Sequence, residues 1–323
     1  MTQPSVCGRT PPAVLQRTWN ETRAVREHEI TFVHGHPPFQ MRLRPSIYDE
    51  DNWSSLIRER EYTYHVALLR MVVRSLDAGT DCVAVDVGAN SGYVSLAAAS
   101  LGCKVTSFEA NPWTARLAQR SFDLNGALGR RITMHNLAVA RQPGSVAFMI
   151  RQPDGSIYDQ LISDATAASG VPDDFRVVRV PSKPLHSILG EPSVVHMVKL
   201  DCEGCEGMAL ETMAPLLIRG AIKVILSEWI TPRILKVSGK ASLNAAVRAL
   251  ERGGYGCYSW SGQPQPLSTL VNPKTEVGDL FLVHRSVTFF QSRMQRERSG
   301  MLATWQLLKT CNDAGARGST TLS

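Results

Sequence analysis

The sequence predicts an α/β fold: a mostly parallel sheet with helices on both faces. Three neighbouring stretches carry the prediction. Residues 82–87 are a short, apolar, β-branched run, the pattern of a strand buried on both faces. The chain then turns through Asp86-Val87-Gly88-Ala89-Asn90-Ser91-Gly92 and continues in residues 94–101 as a small-residue helix that Gly102 can end. Residues 104–109 form a second strand, one strand-helix-strand unit further on.

The turn also predicts a ligand. Gly88 and Gly92 let backbone N–H groups approach a bound molecule, and the helix start favours a negative group there. A dinucleotide-binding turn would read G-x-G-x-x-G. Here Asn90 stands between the two glycines, and the acid Asp86 precedes them. Glu109, at the end of the next strand, is placed to grip two ribose hydroxyls, as an acid about 20 residues downstream does in dinucleotide folds. A nucleoside carrying an amino-acid tail fits this set better than a pyrophosphate, and that ligand is S-adenosylmethionine.

Four blocks in order carry a resemblance to a family: residues 86–93, Phe108-Glu109-Ala110-Asn111-Pro112, residues 199–206, and Leu226-Ser227-Glu228. Spread over a region from about 60 to 285, they resemble the FkbM family of S-adenosylmethionine-dependent methyltransferases. The resemblance implies a class I, Rossmann-like methyltransferase fold with a seven-stranded, mostly parallel sheet whose last strand is antiparallel. It implies O-methylation of a hydroxyl on a sugar or other small molecule. It also implies cofactor contacts by Asp86, Gly88, Asn90, Gly92, Tyr93, Glu109, Asn111, Asn136, Ala138 and Asp201, with residues 136–138 beside the adenine. The chain departs from the family pattern at His186, where an acid is usual, and at Thr212, where a glycine is usual; Ser187 is the expected cap in place of that acid. It departs again at Cys202 and Cys205, where small apolar residues are usual.

The chemistry is placed on the strand at residues 194–200. Lys199 and Asp201 are two apart and face one side, toward the crevice at the carboxyl ends of the strands. Methyl transfer needs an aligned acceptor and help in removing its proton. The candidate catalytic residues are Asp201, which orients or deprotonates the acceptor, Lys199, Glu203 and Glu228. Lys199 reads equally well as a buried partner of Asp201, Asp86 as an acid that shapes the glycine turn, and Glu206 as a first-turn helix acid. A cluster of acids can hold Mg²⁺, but no dedicated ligand pattern appears, so a metal is not favoured. N-methylation and a catalytically silent cofactor-binding scaffold are the alternatives.

The chain has 323 residues, 43% of them hydrophobic, enough for one good-sized core. A formal charge of +6 and a pI near 9.0 suit an acidic partner, but no zinc-finger, homeodomain or RNA-binding signature accompanies them, so nucleic acid is not expected. No apolar run reaches the ~18 residues of a membrane span. Seven cysteines do not read as a disulfide framework. Cys202 and Cys205 read as two buried thiols, and an intracellular, cytoplasmic location is favoured; Arg9 and Arg17 before the first acid, Glu21, keep organelle targeting open.

Three regions are expected. Residues 1–50 are an extension with a small hairpin around His34 and His36, 51–285 are the catalytic domain, and 286–323 are a basic tail helix with a disordered end. Within the domain, Tyr62, Val66, Leu69, Val73 and Leu76 give a helical stripe. Residues 132–139 form a third strand and residues 145–150 return antiparallel to it through a turn at 141–144. Residues 151–174 have no steady period and read as a lid loop. Later come a helix at 208–217, a strand at 222–226, a helix at 243–250, closing strands at 255–260 and 279–283, and a surface loop at 262–273. The oligomeric state is not legible.

Overall fold

Alternation is short and periodicity weak in the early chain, and the first ordered pair is small. The computed structural model describes residues 29–33, 39–43, 73, 82–151, 159–259 and 261–288. Strands β1 (Glu29–Val33) and β2 (Phe39–Leu43) pair antiparallel, the expected hairpin. Of the helical stripe only Val73 is described, helical and buried; His34, His36, the N-terminal lead-in before residue 29 and the tail beyond 288 lie outside the described residues.

The central unit then follows in order: β3 (Val83–Val87), α1 (Tyr93–Ser100), β4 (Lys104–Phe108), α2 (Pro112–Asp123) and β5 (Ile132–His135). Every residue of α1 is buried: its alanines and serines let it pack closely on all sides, while Tyr93, Val94 and Leu96 fill the core. Helix α2 is amphipathic instead. Asn111 caps it by accepting from the Trp113 and Thr114 amides, Pro112 opens its first turn, and Leu117, Ala118 and Phe122 face the core. Just beyond α2, Asn125 exchanges hydrogen bonds with the backbone of Gln40 and so ties β2 to the domain.

Strands β6 (Ala138–Val139), β7 (Gly144–Arg151), β8 (Gln160–Ile162), then α3 (Asp164–Ser169) and β9 (Phe175–Lys183) form a second structure beside the first. After α4 (His186–Leu189) come β10 (Val195–Leu200), α5 (Glu206–Thr212), α6 (Ala214–Ile218), β11 (Ile222–Ile230), α7 (Thr231–Val237) and α8 (Gly239–Gly253). The described chain closes with β12 (Tyr255–Ser259), β13 (Pro264–Gln265) and β14 (Glu276–His284).

The main sheet has the order β13-β12-β14-β11-β10-β3-β4-β5. Strands β11, β10, β3, β4 and β5 are parallel, and β14 runs antiparallel between β11 and β12. Strand order reverses between β3 and β10, which opens a crevice at their carboxyl ends. The two faces of the sheet carry separate hydrophobic cores, one packed on α1 and α2, the other on α5, α6 and α8.

Several expectations are corrected. The short β13 adds an eighth strand to the seven expected. The third strand is two: the chain kinks at Asn136, whose side-chain amide donates to the carbonyls of Glu109 and Ala110, so that β6 leaves the main sheet. Residues 144–151 do not return on β6, because β9 inserts between them, parallel to β6 and antiparallel to β7. The aperiodic stretch after 151 contains β8 and α3, and only 152–158 lie outside the described residues. The helix at 208–217 divides at Met213, one residue before Ala214-Pro215 opens α6. Ser187 does not cap a helix; its hydroxyl donates to the Pro184 carbonyl. The loop at 262–273 is not wholly superficial, since Leu270 is fully buried and its carbonyl accepts from the Trp229 indole.

The cysteines are also corrected. Cys82 and Cys103 are joined by a disulfide, because each immediately precedes one of two adjacent parallel strands and their Cα atoms lie 4.3 Å apart. Cys202 and Cys205 are joined as well, across one tight turn. Cys257 is a buried free thiol.

Candidate functional site

The crevice at the β3–β10 switch point is an open cleft of about 910 Å³, counting its mouth. Its floor is the glycine turn. Gly88 adopts φ +78°, and a Cβ there would lie 1.7 Å from the Asp201 carbonyl oxygen, so only glycine lets β3 and the end of β10 come this close. Gly92 adopts φ +86°, and a Cβ there would meet the Phe122 ring at 2.5 Å. The turn is anchored by the Gly88 and Ala89 amides, which both donate to the Phe108 carbonyl at 2.9 Å.

Glu109 stands on one wall. Its two carboxylate oxygens accept separately from the Asn90 and Asn111 amides, each at 2.8 Å. Burial pushes its carboxyl up to about 7, against the pull of those two hydrogen bonds. An ionised carboxylate has about four lone-pair sites, so two remain for a ligand. Leu137, Ala138, Val139, Phe108 and Phe148 make the apolar side of the same wall.

Beneath the turn lies a charged triad. Lys199 is buried, donates to the Gly88 carbonyl at 2.6 Å, and sits 3.7 Å from Asp86 and 3.4 Å from Asp201. Burial disfavours its charge, but Asp201 and Asp86 outweigh burial and hold the ammonium above its ordinary range. Asp86 is buried and accepts from the Ser95 hydroxyl at 2.6 Å, while its other oxygen has no hydrogen-bond donor. Burial raises its carboxyl despite the compensating Lys199.

Acids gather at the far wall, where Asp201 and Glu203 line the cleft and Glu228 stands beside them. Asp201, Glu203 and Glu228 bring carboxylate oxygens within 4.8 Å of one another, a spacing that can hold a divalent cation. Arg233 on α7 already bridges Glu203 and Glu228. Glu203 is pushed up to about 8 by burial and by Asp201, against the pull of Arg233. Glu206 is buried, accepts from the Cys202 amide at 2.9 Å, and is pushed up to about 7 by burial.

Gly88, Asn90, Glu109, Ala138, Lys199, Asp201 and Glu203 therefore gather on the cleft. Other expected residues do not reach it. Tyr93 is buried in the core against Phe39, and Asn136 is exposed and holds the kink, leaving Leu137 as the lining residue. Asp86 and Asn111 act from behind, Asn111 by donating to Asp159 at 2.7 Å. Asp159, Arg233 and Asp279 are absent from the sequence reading. Asp159 lay in an aperiodic stretch, yet it lines the cleft and accepts from the Asn111 side chain and the Arg151 amide. Asp279 pairs in register with Glu228 and is pushed up to about 6 by burial, Asp201 and Glu228; an acid placed directly before the apolar run at 280–283 was the available signal.

The lining fits a nucleoside with an amino-acid tail: an acid with spare lone pairs for hydroxyls, an apolar slot, and a glycine turn whose backbone a ligand can approach closely. The sheet order, with its antiparallel β14, and the cleft at the switch point define a class I, Rossmann-like methyltransferase fold. Residues 86–256 match the methyltransferase FkbM domain model, over half of the chain, and the protein belongs to that family.

Among solved structures, a methyltransferase FkbM from Methylobacillus flagellatus KT aligns at 14% identity and a TM-score of 0.37, covering 62% of this chain and 42% of that one. A putative O-methyltransferase from Klebsiella pneumoniae aligns at 13% identity and 0.37, covering 68% and 80%. The O-methyltransferase from Bacillus cereus in complex with SAH aligns at 14% and 0.36, covering 69% and 81%. Family membership rests on the domain match rather than on these alignments. No curated protein sequence matches significantly. Among the described residues no helix is long and apolar enough to cross a membrane.

Proposed function

We propose that the protein transfers the methyl group of S-adenosylmethionine to a hydroxyl of a sugar or other small molecule. The observation that carries the donor half is Glu109, held by two backbone amides with lone pairs left over, one strand from the glycine turn. Bound there, the cofactor supplies an activated methyl group on a sulfonium, which is already a good leaving group. Glu109 holds the ribose hydroxyls, the Gly88 turn receives the amino-acid tail, and Leu137 and Ala138 pack on the base.

Asp201 orients the acceptor hydroxyl and draws off its proton. Glu203, poised near neutral pH, and Glu228 complete the acceptor wall, with Arg233 fixing both. Lys199 stays protonated and acts by positioning the Gly88 turn and Asp201 rather than as a base. A second reading, N-methylation, is favoured by the excess of carboxylates over Arg233 on that wall, which would draw an ammonium acceptor.

The test is transfer of labelled methyl from S-adenosylmethionine to a panel of hydroxylated and amine-bearing small molecules. Labelling of hydroxyl acceptors, lost in Asp201→Asn, is expected. Labelling of amines alone would establish the second reading, and full activity in Asp201→Asn would remove Asp201 from the chemistry.

A further inference from the structure

Two half-cystines sit in the wall of the cleft, on either side of the turn that carries Glu203. Cys202 follows Asp201 directly and is partly exposed, whereas Cys205 is buried at 3%. The residues between them are conformationally demanding. Glu203 is a non-glycine residue at φ +57°, and Gly204 adopts φ +103°, where an added Cβ would meet the Arg233 carbonyl oxygen and the Val237 side chain within 3 Å. In this conformation the Glu203 carboxylate pairs with Arg233. Within the turn one long hydrogen bond runs, from the Cys205 amide to the Cys202 carbonyl at 3.4 Å; from outside, Glu206 accepts from the Cys202 amide and the Ser238 hydroxyl donates to the Gly204 carbonyl at 2.7 Å. The cross-link closes this loop around Glu203.

We propose that Cys202–Cys205 is a thiol–disulfide exchange site whose oxidation state sets the acceptor wall. The partner is a dithiol, small or protein-borne. Its thiolate attacks the accessible Cys202 sulfur; the S–S bond breaks, and its electron pair leaves on the Cys205 sulfur, which takes a proton from solvent. The partner's second thiol then displaces Cys202 from the mixed disulfide and releases it as a thiol. The protein disulfide gains two electrons and two protons, and the dithiol is oxidised to its own disulfide. Reduction frees the turn, so Glu203 can leave its strained backbone state and its partner Arg233, and the acceptor wall loosens. The donor half rests on Gly88, Asn90 and Glu109, none of which the turn holds. The consequence for the acceptor rests on the proposed function.

The experiment uses the full chain carrying Cys82→Ala and Cys103→Ala, so that the other described cross-link cannot respond. Oxidised protein and protein treated with dithiothreitol are alkylated with iodoacetamide and read by peptide mass spectrometry. Hydrogen exchange is followed at residues 202–206 and 231–237, and S-adenosylhomocysteine is titrated calorimetrically into both forms. Alkylation of Cys202 and Cys205 only after dithiothreitol, with exchange in both segments rising about tenfold or more and ligand affinity little changed, is expected. Cys202→Ser should show the fast exchange without reductant. Alkylation of both cysteines before reduction, or reduction with no change in exchange, would overturn the proposal. Absence of ligand binding in both forms would instead overturn the cofactor reading and leave the exchange data to decide the switch.

Discussion

Gly88 and Glu109 do different work in the same cleft, and single substitutions should separate them. Gly88→Ala places a Cβ onto the Asp201 carbonyl, which must be relieved by moving β3 against β10. Overpacking of this kind costs about 1–3 kcal/mol, so both the urea midpoint and affinity for S-adenosylmethionine should fall. Glu109→Gln keeps the shape but turns one accepting oxygen into a donor facing a backbone N–H. The unpaired N–H should cost about 1–3 kcal/mol of stability, and affinity should fall about tenfold or more. Because burial holds Glu109 up to about 7 and ribose hydroxyls favour its ionised form, binding should release protons and tighten as pH rises through about 7. Calorimetry in buffers of different ionisation enthalpy reads that release; affinity unchanged over about one pH unit either side of 7 would show that Glu109 is not the contact.

At the scale of elements, the decisive link is the one between β10 and β3. Lys199 spans it, and its side chain and that of Asp86 are 11% and 2% exposed. Removing one partner of a buried pair costs about 3–5 kcal/mol. Lys199→Met should therefore unfold at markedly lower urea, and adding Asp86→Asn should recover part of the loss; an additive double variant would show that the two do not act on each other. On the other side of β3, the Cys82–Cys103 disulfide closes a loop of 21 positions to β4. Chain-entropy reasoning gives it about 3 kcal/mol, so Cys82→Ala with Cys103→Ala should lower the midpoint by that order. The strand-turn-helix of β3 and α1 and the next strand were legible in the sequence because buried parallel strands and a glycine turn leave a local signature. The split at Asn136 and the insertion of β9 between β6 and β7 were not, since both depend on pairing between residues distant in the chain. Cross-links are invisible for the same reason: Cys82 and Cys103 look scattered until the strands they precede are known to be neighbours.

At the scale of the whole molecule, the buried charged side chains among the described residues, Asp86, Asp159, Lys199 and Glu206, gather around the cleft. Glu109, Glu203 and Glu206 are held up to about 7, 8 and 7, each chiefly by burial. A carboxyl with a raised folded value binds its proton more tightly folded than unfolded, so its contribution is present at low pH and lost as pH rises through the folded value. His135 and His284 are held low by burial and weigh only below about 6.5. Stability of the ligand-free protein should thus fall from about pH 6.5 to about 8.5, and a denaturant midpoint that is flat or rising over that window would contradict the buried acidic wall. That wall was half legible. Asp201, Glu203 and Glu228 stood out as acids at strand ends, while Arg233 and Asp279 join them only through the packing of α7 and β14.

The most direct test of the account is isothermal titration of the full chain with S-adenosylmethionine and, separately, with NAD. Saturable binding of S-adenosylmethionine, weakened in Glu109→Gln, and no binding of NAD is expected; preferential binding of NAD, or binding of neither, would contradict a methyl-donor site in the cleft.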